Sequence, residues 1–239
     1  MLVLRIGIIG GTGSMGKGLA LRWCPKHEII LGSRDLAKAV SVARNYNSIA
    51  RGFYGNEIGE RIQGNLNTEI IKMSNLVVVA LPPQHTIEIM RQTKSQLTAQ
   101  QVIVSTIVPM KREGKLFKYL PFASDSPTPL SAAELIAKEI DPVKVVSAFQ
   151  TVPASYLADL DSTLNIDVLI SGDNEDALGL ISDLVRDIPN LRPLRVGPLA
   201  NSRLVESITP LLLNAAILNR LKDPSIRIVP WVPSDFEKS

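Results

Sequence analysis

The chain has 239 residues, a length that suits one domain with an appendage. Hydrophobic residues make up 45% and charged residues 21%, and a net charge of +3 without a basic run interleaved with aromatics argues against nucleic-acid binding. The single cysteine, Cys24, excludes an intrachain disulfide and a cysteine-based metal cluster, and His27 and His85 lack metal-ligand spacing, so no metal site is expected.

The first residues lack the basic start and long apolar helix of a signal peptide. Residues 3–9 read instead as a strand buried on both faces. A helix is expected over 14–23, stopped by Pro25, then a strand over 28–31 and a helix opened by Asp35 that runs to about residue 50. The segment 51–67 is polar and glycine-rich, with a short strand near 61–63. A helical piece over 68–73 leads into an apolar strand over 76–81, which stops at Pro82-Pro83. A helix over 86–92 and a buried strand over 102–105 follow. Residues 109–129 read as a loop rich in proline and serine. The pattern resumes with a helix over 132–140, strands over 143–149 and 166–171, a helix over 175–187 and a strand over 191–196. An apolar helix over 202–221, kinked at Pro210, closes the fold, and an irregular tail begins near Asp223 and contains Pro224, Pro230 and Pro233.

Strands alternating with helices at this spacing predict an α/β fold of Rossmann type, a doubly wound and mainly parallel sheet with helices on both faces and a small C-terminal helical part. The expected division is a nucleotide-binding domain over 1–199 and a C-terminal helix with its tail over 200–239. The apolar helix carries Glu206, Pro210 and Asn214 and is too short to span a bilayer. A cytoplasmic protein without a membrane segment is expected.

The main chemical signal is the G-x-G-x-x-G formed by Gly11, Thr12, Gly13, Ser14, Met15 and Gly16 where the first strand meets the first helix. In such a turn the first glycine permits a tight bend, the second lets the backbone approach a pyrophosphate, and the third lets helix and strand pack closely. The new helix directs free N–H groups and its positive dipole end at the phosphates. The end of the second strand discriminates between NAD and NADP, because it meets the adenosine ribose. An NAD site has a carboxylate there; this chain has Gly32-Ser33-Arg34. Arg34 offers a planar fork of donors and Ser33 a hydroxyl, with Lys38 one turn further along the same helix face and Thr12 within reach from the glycine turn. NADP(H) is therefore the expected cofactor.

Beyond these motifs the chain resembles the F420-dependent NADP reductases. The resemblance runs through GGTGSMGKGLALR (10–22), HEIILGSR (27–34), VVVALPPQHT (77–86), SAAELIA (131–137), VVSAFQTVPA (145–154) and VGPLANSRLVESITPLLLN (196–214). It implies a homodimer that moves hydride directly between the nicotinamide of NADP(H) and the deazaflavin coenzyme F420. It also implies that Leu81, Pro82, Val152, Pro153 and Ala154 border the nicotinamide. Gln150, Asn201, Ser202 and Arg203 would then border the acceptor. Gln150 stands where the family pattern carries a histidine; glutamine donates and accepts hydrogen bonds but carries no charge. That departure keeps open a reductase of another acceptor (flavin, ferric iron or a small imine) and a non-catalytic NADP-binding sensor.

Hydride transfer between two flat rings needs close stacking and exclusion of water, within about 3–3.5 Å between reacting carbons. It requires no side-chain acid or base, so no catalytic residue is assigned. Other groups read as structural: His85 at a helix start, Cys24 as a small buried hydrophobe, and Arg203 with Glu206 as a local ion pair at i and i+3.

Overall fold

The apolar runs become the central strands of an eight-stranded sheet in a computed structural model that describes residues 3–123 and 127–229. The strands are β1 (Arg5–Ile9), β2 (Glu28–Ser33), β3 (Ile62–Leu66), β4 (Leu76–Val79), β5 (Val102–Ser105), β8 (Lys144–Ser147), β9 (Ile166–Gly172) and β10 (Leu191–Arg195). Their order is β10-β9-β8-β5-β4-β1-β2-β3, and every neighbouring pair is parallel except β8 with β9. Two further strands, β6 (Met110–Glu113) and β7 (Leu116–Tyr119), form a separate antiparallel hairpin.

The strands read as continuous apolar runs because both faces of the sheet are covered. Ile6, Ile8, Leu76 and Val78 point into one core, with Leu19 and Trp23 of α1 (Ser14–Trp23) and Ala43 and Tyr46 of α2 (Leu36–Tyr54). Ile9, Val77, Val79 and Ile103 point into the other. There they meet α3 (Asn67–Met73), α4 (Pro83–Thr93) and α5 (Ala132–Ile140). Each of these isoleucines is fully buried, a contribution of roughly 1.5–3 kcal/mol apiece relative to exposure.

Helix ends follow local chemistry. Asp35 caps α2 by accepting from the Lys38 N–H at 3.1 Å, and Ser131 caps α5 in a reciprocal box with Glu134. Asn174 caps α7 (Glu175–Arg186) with a single bond, accepting from the Ala177 N–H at 2.9 Å. Pro83 opens α4 earlier than expected, since proline lacks an N–H that the first turn would leave unused anyway. The helix α2 runs to Tyr54, past the expected residue 50, and ends at Gly55 with φ 92.

Two further segments depart from expectation. Most of 109–119 is the β6–β7 hairpin rather than loop, turned at Gly114 with φ 62; residues 124–126 of the expected loop lie outside the described residues. A short helix, α6 (Ala154–Ala158), packs on α1 and was not anticipated. The last helix, α8 (Ser202–Asn219), contains Pro210 within its span. Its Asn214 side chain clasps the hairpin, accepting from the Phe117 N–H at 2.7 Å and donating to the Phe117 carbonyl at 2.8 Å. Beyond α8, residues 221–229 form neither helix nor strand, as expected of the tail. Pro230 and Pro233 lie outside the described residues. No described helix is long and apolar enough to cross a membrane.

Candidate nucleotide and acceptor site

The site is built at the carboxyl ends of the strands, where the order reverses between β1 and β4. From Ile9 the chain turns through the glycines into α1, which starts with no side-chain cap and no acidic residue in its first turn. Its leading N–H groups thus face a point where an anion is favoured. The turn is braced by its neighbours: the Gly11 N–H donates to the Ile8 and Gly32 carbonyls at 3.0 and 3.1 Å, and the Gly10 N–H to Asn67 Oδ1 at 3.2 Å. A Cβ on Gly16 would lie 2.6 Å from the Gly11 Cα, so α1 can seat on the turn only with glycine there.

Two cavities meet across this turn. The smaller, about 300 Å3, is lined by Thr12 and Gly13 of the turn, by Ser33, Arg34 and Lys38 at the β2–α2 junction, and by Asn67 and Pro82. Arg34 and Lys38 are exposed, and among the described residues neither side chain makes an ion pair. Asp35 also lines this cavity, but one of its carboxylate oxygens is engaged in capping α2, and the Ser33 hydroxyl accepts from its N–H at 3.2 Å.

The larger cavity, about 790 Å3, begins at Ser14 and Met15 and extends over Pro83, the stretch from Gln150 to Ala154, and the flank of α8. Ala80 and Leu81 line both cavities, so the two form one groove. The Gln150 stretch leaves β8 through Phe149, a buried aromatic held at φ 72 and stacked edge-on against Trp23 at 5.7 Å. A bulky residue in that region costs on the order of 1–3 kcal/mol, so the surrounding packing must hold it there. Gln150 itself is anchored: its Nε2 donates to the Ser105 carbonyl and the Ser147 hydroxyl, both at 2.8 Å. The carbonyl can only accept, which orients the amide and leaves Oε1 buried without a partner among the described residues. The Gln150 carbonyl in turn accepts from Thr209 Oγ1 at 2.8 Å, tying α8 to the cavity floor.

The expected residues are thus gathered unevenly. Those of the glycine turn, the β2–α2 junction, Leu81, Pro82 and the run from Gln150 to Ala154 come together, Gly11 and Gly16 supporting the turn from behind. Asn201, Ser202 and Arg203 do not line either cavity. Asn201 Nδ2 donates to the Val196 carbonyl at 2.6 Å, Ser202 is buried against Ser131 at 2.7 Å, and Arg203 pairs with Glu134 at 3.0 Å. The local Arg203–Glu206 pair is therefore corrected. Glu206 is fully buried and accepts from the Ala132 and Ala133 N–H groups and from Tyr119 Oη.

The α8 side of the larger cavity comes instead from Thr209, Leu212, Leu213 and Ala216 and from residues 221–224 beyond that helix. Helical spacing at 209, 212, 213 and 216 was the available signal, but an apolar helix offers more than one such face. Asn67 was also missed; its carbonyl oxygen fits beside Gly32 because a Cβ there would approach it to 2.5 Å.

The geometry agrees with what the chain is similar to. The family model described as NADP oxidoreductase, coenzyme F420-dependent, matches residues 5–109. The F420-dependent NADP reductase of Methanocaldococcus jannaschii is 36% identical over 228 residues, 94% of this chain and 98% of that protein. The chain belongs to the F420-dependent NADP reductase family. The F420-dependent NADP reductase of Methanothermobacter marburgensis is 33% identical over 230 residues, again 94% of this chain and 98% of that one. A solved structure from Arthrobacter sp. FB24 superposes with a TM-score of 0.76 at 19% identity, covering 95% of this chain and 99% of that one, and shows the shared fold. The family model reaches from β1 past β5 and so takes in the glycine turn, Arg34 and the Leu81-Pro82 turn. The full-length family relatives extend the likeness over the rest of the larger cavity.

Proposed function

We propose that this protein transfers hydride between NADP(H) and the deazaflavin coenzyme F420, with the nicotinamide and the deazaflavin side by side in the larger cavity. The observation that carries the reading is the single groove: Ala80 and Leu81 wall both the cationic cavity at Arg34 and the apolar one beside Met15. A nucleotide lying along the glycine turn then has its adenosine end at Arg34 and its reactive end in the larger space. A Cβ on Gly13 would meet only the Gly10 carbonyl, at 3.3 Å. The protein leaves that side open, as close approach of a pyrophosphate requires.

In this reading Thr12, Ser33, Arg34 and Lys38 hold the 2′-phosphate, and the backbone from Gly11 to Gly16 cradles the pyrophosphate. Leu81, Pro82, Val152, Pro153 and Ala154 border the nicotinamide, with Gln150 between the two rings' sites. The chemistry itself is supplied by the two bound rings, which exchange the hydride directly. The side chains exclude water and set the distance: Met15, Leu81, Val152, Leu212 and Leu213 make the walls apolar. Residues 1–199 serve as the nucleotide-binding domain and 200–239 as the part that closes the acceptor side.

A homodimer is supported by α8, where Leu204, Leu211 and Leu218 repeat every seven residues and are each about two-thirds exposed. A cytoplasmic location belongs to the same reading. The test is NADPH oxidation by the pure protein with oxidised coenzyme F420, beside FMN, FAD and a ferric chelate. Turnover with coenzyme F420 alone is expected. Tight NADPH binding without deazaflavin turnover would overturn the assignment, and the flavin and iron runs would then identify another reductase or a sensor.

A further inference from the structure

The segment after α8 has more structure than a loose tail needs. Arg220, at φ 57, ends the helix and redirects the chain, and residues 221–224 then run along the mouth of the larger cavity. They are fastened to its other wall: Ser155 Oγ donates to Asp223 Oδ2 at 2.8 Å, and Ser225 Oγ donates to the Thr151 carbonyl at 2.6 Å. Further on, the strap is clasped by Asp167, a fully buried carboxylate at the start of β9. Its N–H donates to the Ile226 carbonyl at 2.9 Å and its Oδ2 accepts from the Ile228 N–H at 2.7 Å. Arg192 grips the same carboxylate with two bonds of 2.7 Å, and Arg227 adds a third at 3.1 Å. Two of these charge-assisted bonds, from the Ile228 N–H and from Arg227, come from the strap itself and hold it more firmly than neutral surface contacts would.

The strap brings one residue of distinct chemistry to the groove. Among the described residues lining the larger cavity, Lys222 and Asp223 are the only charged ones, and Asp223 is committed to Ser155. Lys222 is exposed at the mouth and makes no hydrogen bond or ion pair among the described residues. The Asp159 carboxylate feels its charge but is already engaged by the Ser162 hydroxyl at 2.6 Å and the Asp161 N–H at 3.3 Å. The interior beyond Lys222 is lined by apolar and neutral side chains. A flat ring stacked there presents whatever chain it carries to the mouth, where a cation stands ready on a fixed strap.

We propose that the strap is a built wall of the acceptor site and that Lys222 is a specificity residue, recognising an anionic substituent, a phosphodiester or carboxylate, on the side chain of the acceptor. This rests on the deazaflavin reading given above. The test compares coenzyme F420 with the 5-deazaflavin that has the same ring and a ribityl chain but no phosphate or carboxylate, using wild type, Lys222→Gln and Lys222→Glu. For the full coenzyme, KM rises about fivefold in Lys222→Gln, the scale of a solvent-exposed charge contact, and about tenfold or more on charge reversal. For the truncated ring KM is unmoved, so the preference of the enzyme for the anionic chain falls; kcat and the KM for NADPH stay as in wild type. An unchanged KM for coenzyme F420, or an equal rise for both deazaflavins, would overturn the role of Lys222 and leave the deazaflavin assignment standing. If wild type reduces neither deazaflavin, the assignment of function fails and this proposal with it.

Discussion

Glu206 is a carboxyl displaced by its surroundings, and its displacement has a sign that an experiment can read. It is fully buried on α8, one turn before Thr209 of the cavity wall, and it ties that helix to the start of α5 and to Tyr119 of the hairpin. Burial pushes its pKa up, and the Ala132 and Ala133 N–H groups and Tyr119 only partly offset this, leaving it raised from 4.5 to about 7. Because the folded value exceeds the unfolded one, the folded protein holds a proton that the unfolded chain releases over this interval. The associated stability is fully present below the unfolded value and is lost as pH rises through the folded one. One pK unit corresponds to about 1.4 kcal/mol, so the loss between about pH 5 and pH 7.5 is on the order of 2–3 kcal/mol. Glu206→Gln keeps the shape and removes the titration. It leaves one backbone donor of α5 short of an acceptor, a cost of about 1–3 kcal/mol that does not vary with pH. Urea unfolding of both proteins at the two pH values isolates the effect as a difference of differences. Wild type should lose on the order of 2–3 kcal/mol more than the variant on going to the higher pH. Parallel pH dependences would show that Glu206 ionises normally, and the account of its burial would be wrong.

Three other outcomes follow from the same geometry. Arg34→Ala should weaken NADPH binding by about tenfold or more and leave NADH binding nearly unchanged; a fluorescence titration giving an unaltered ratio of the two dissociation constants would remove Arg34 from the 2′-phosphate site. Gly16→Ala places a Cβ 2.6 Å from backbone that cannot retreat. It should destabilise the fold by about 1–3 kcal/mol and weaken NADPH binding, and a wild-type Tm with wild-type affinity would refute the packing argument. Leu211→Asp combined with Leu218→Asp puts charge on the exposed face of α8. Sedimentation should then show monomers where wild type shows dimers, and an undisturbed dimer would move the interface elsewhere.

The sheet was legible because its strands are buried on both faces. Residues 76–79 and 102–105 have no polar side to confuse the pattern except Ser105, and proline or capping residues mark many of the turns between elements. The hairpin was not, because Met110 to Glu113 is exposed throughout and offers no alternation of apolar and polar residues. Only the Gly114-Lys115 pair between two runs of four residues hinted at it. The gathering of the glycine turn and the β2–α2 junction into one cavity was legible for a related reason: both are local in sequence, so residue type and spacing place them together.

The acceptor half has no such local grammar, and its misreading is instructive. Arg203 and Glu206 lie at i and i+3, the spacing of a helical ion pair, yet each turns to a different partner on α5. That pairing rule describes a solvated helix face, where neighbours on the same helix are the only charges at hand. The flank of α8 carrying Arg203 and Glu206 is instead packed against α5 and the hairpin, so the uncapped N–H groups of α5 compete for Glu206 and win. The same packing turns Ser202 inward, away from either cavity, and brings Thr209, Leu212 and Leu213 to the groove. A cavity walled by one helix and the segment after it, docked against the sheet, is set by the rotation of that helix. Substitutions at its buried contacts, Glu206 above all, should therefore alter acceptor KM while leaving NADPH affinity in place.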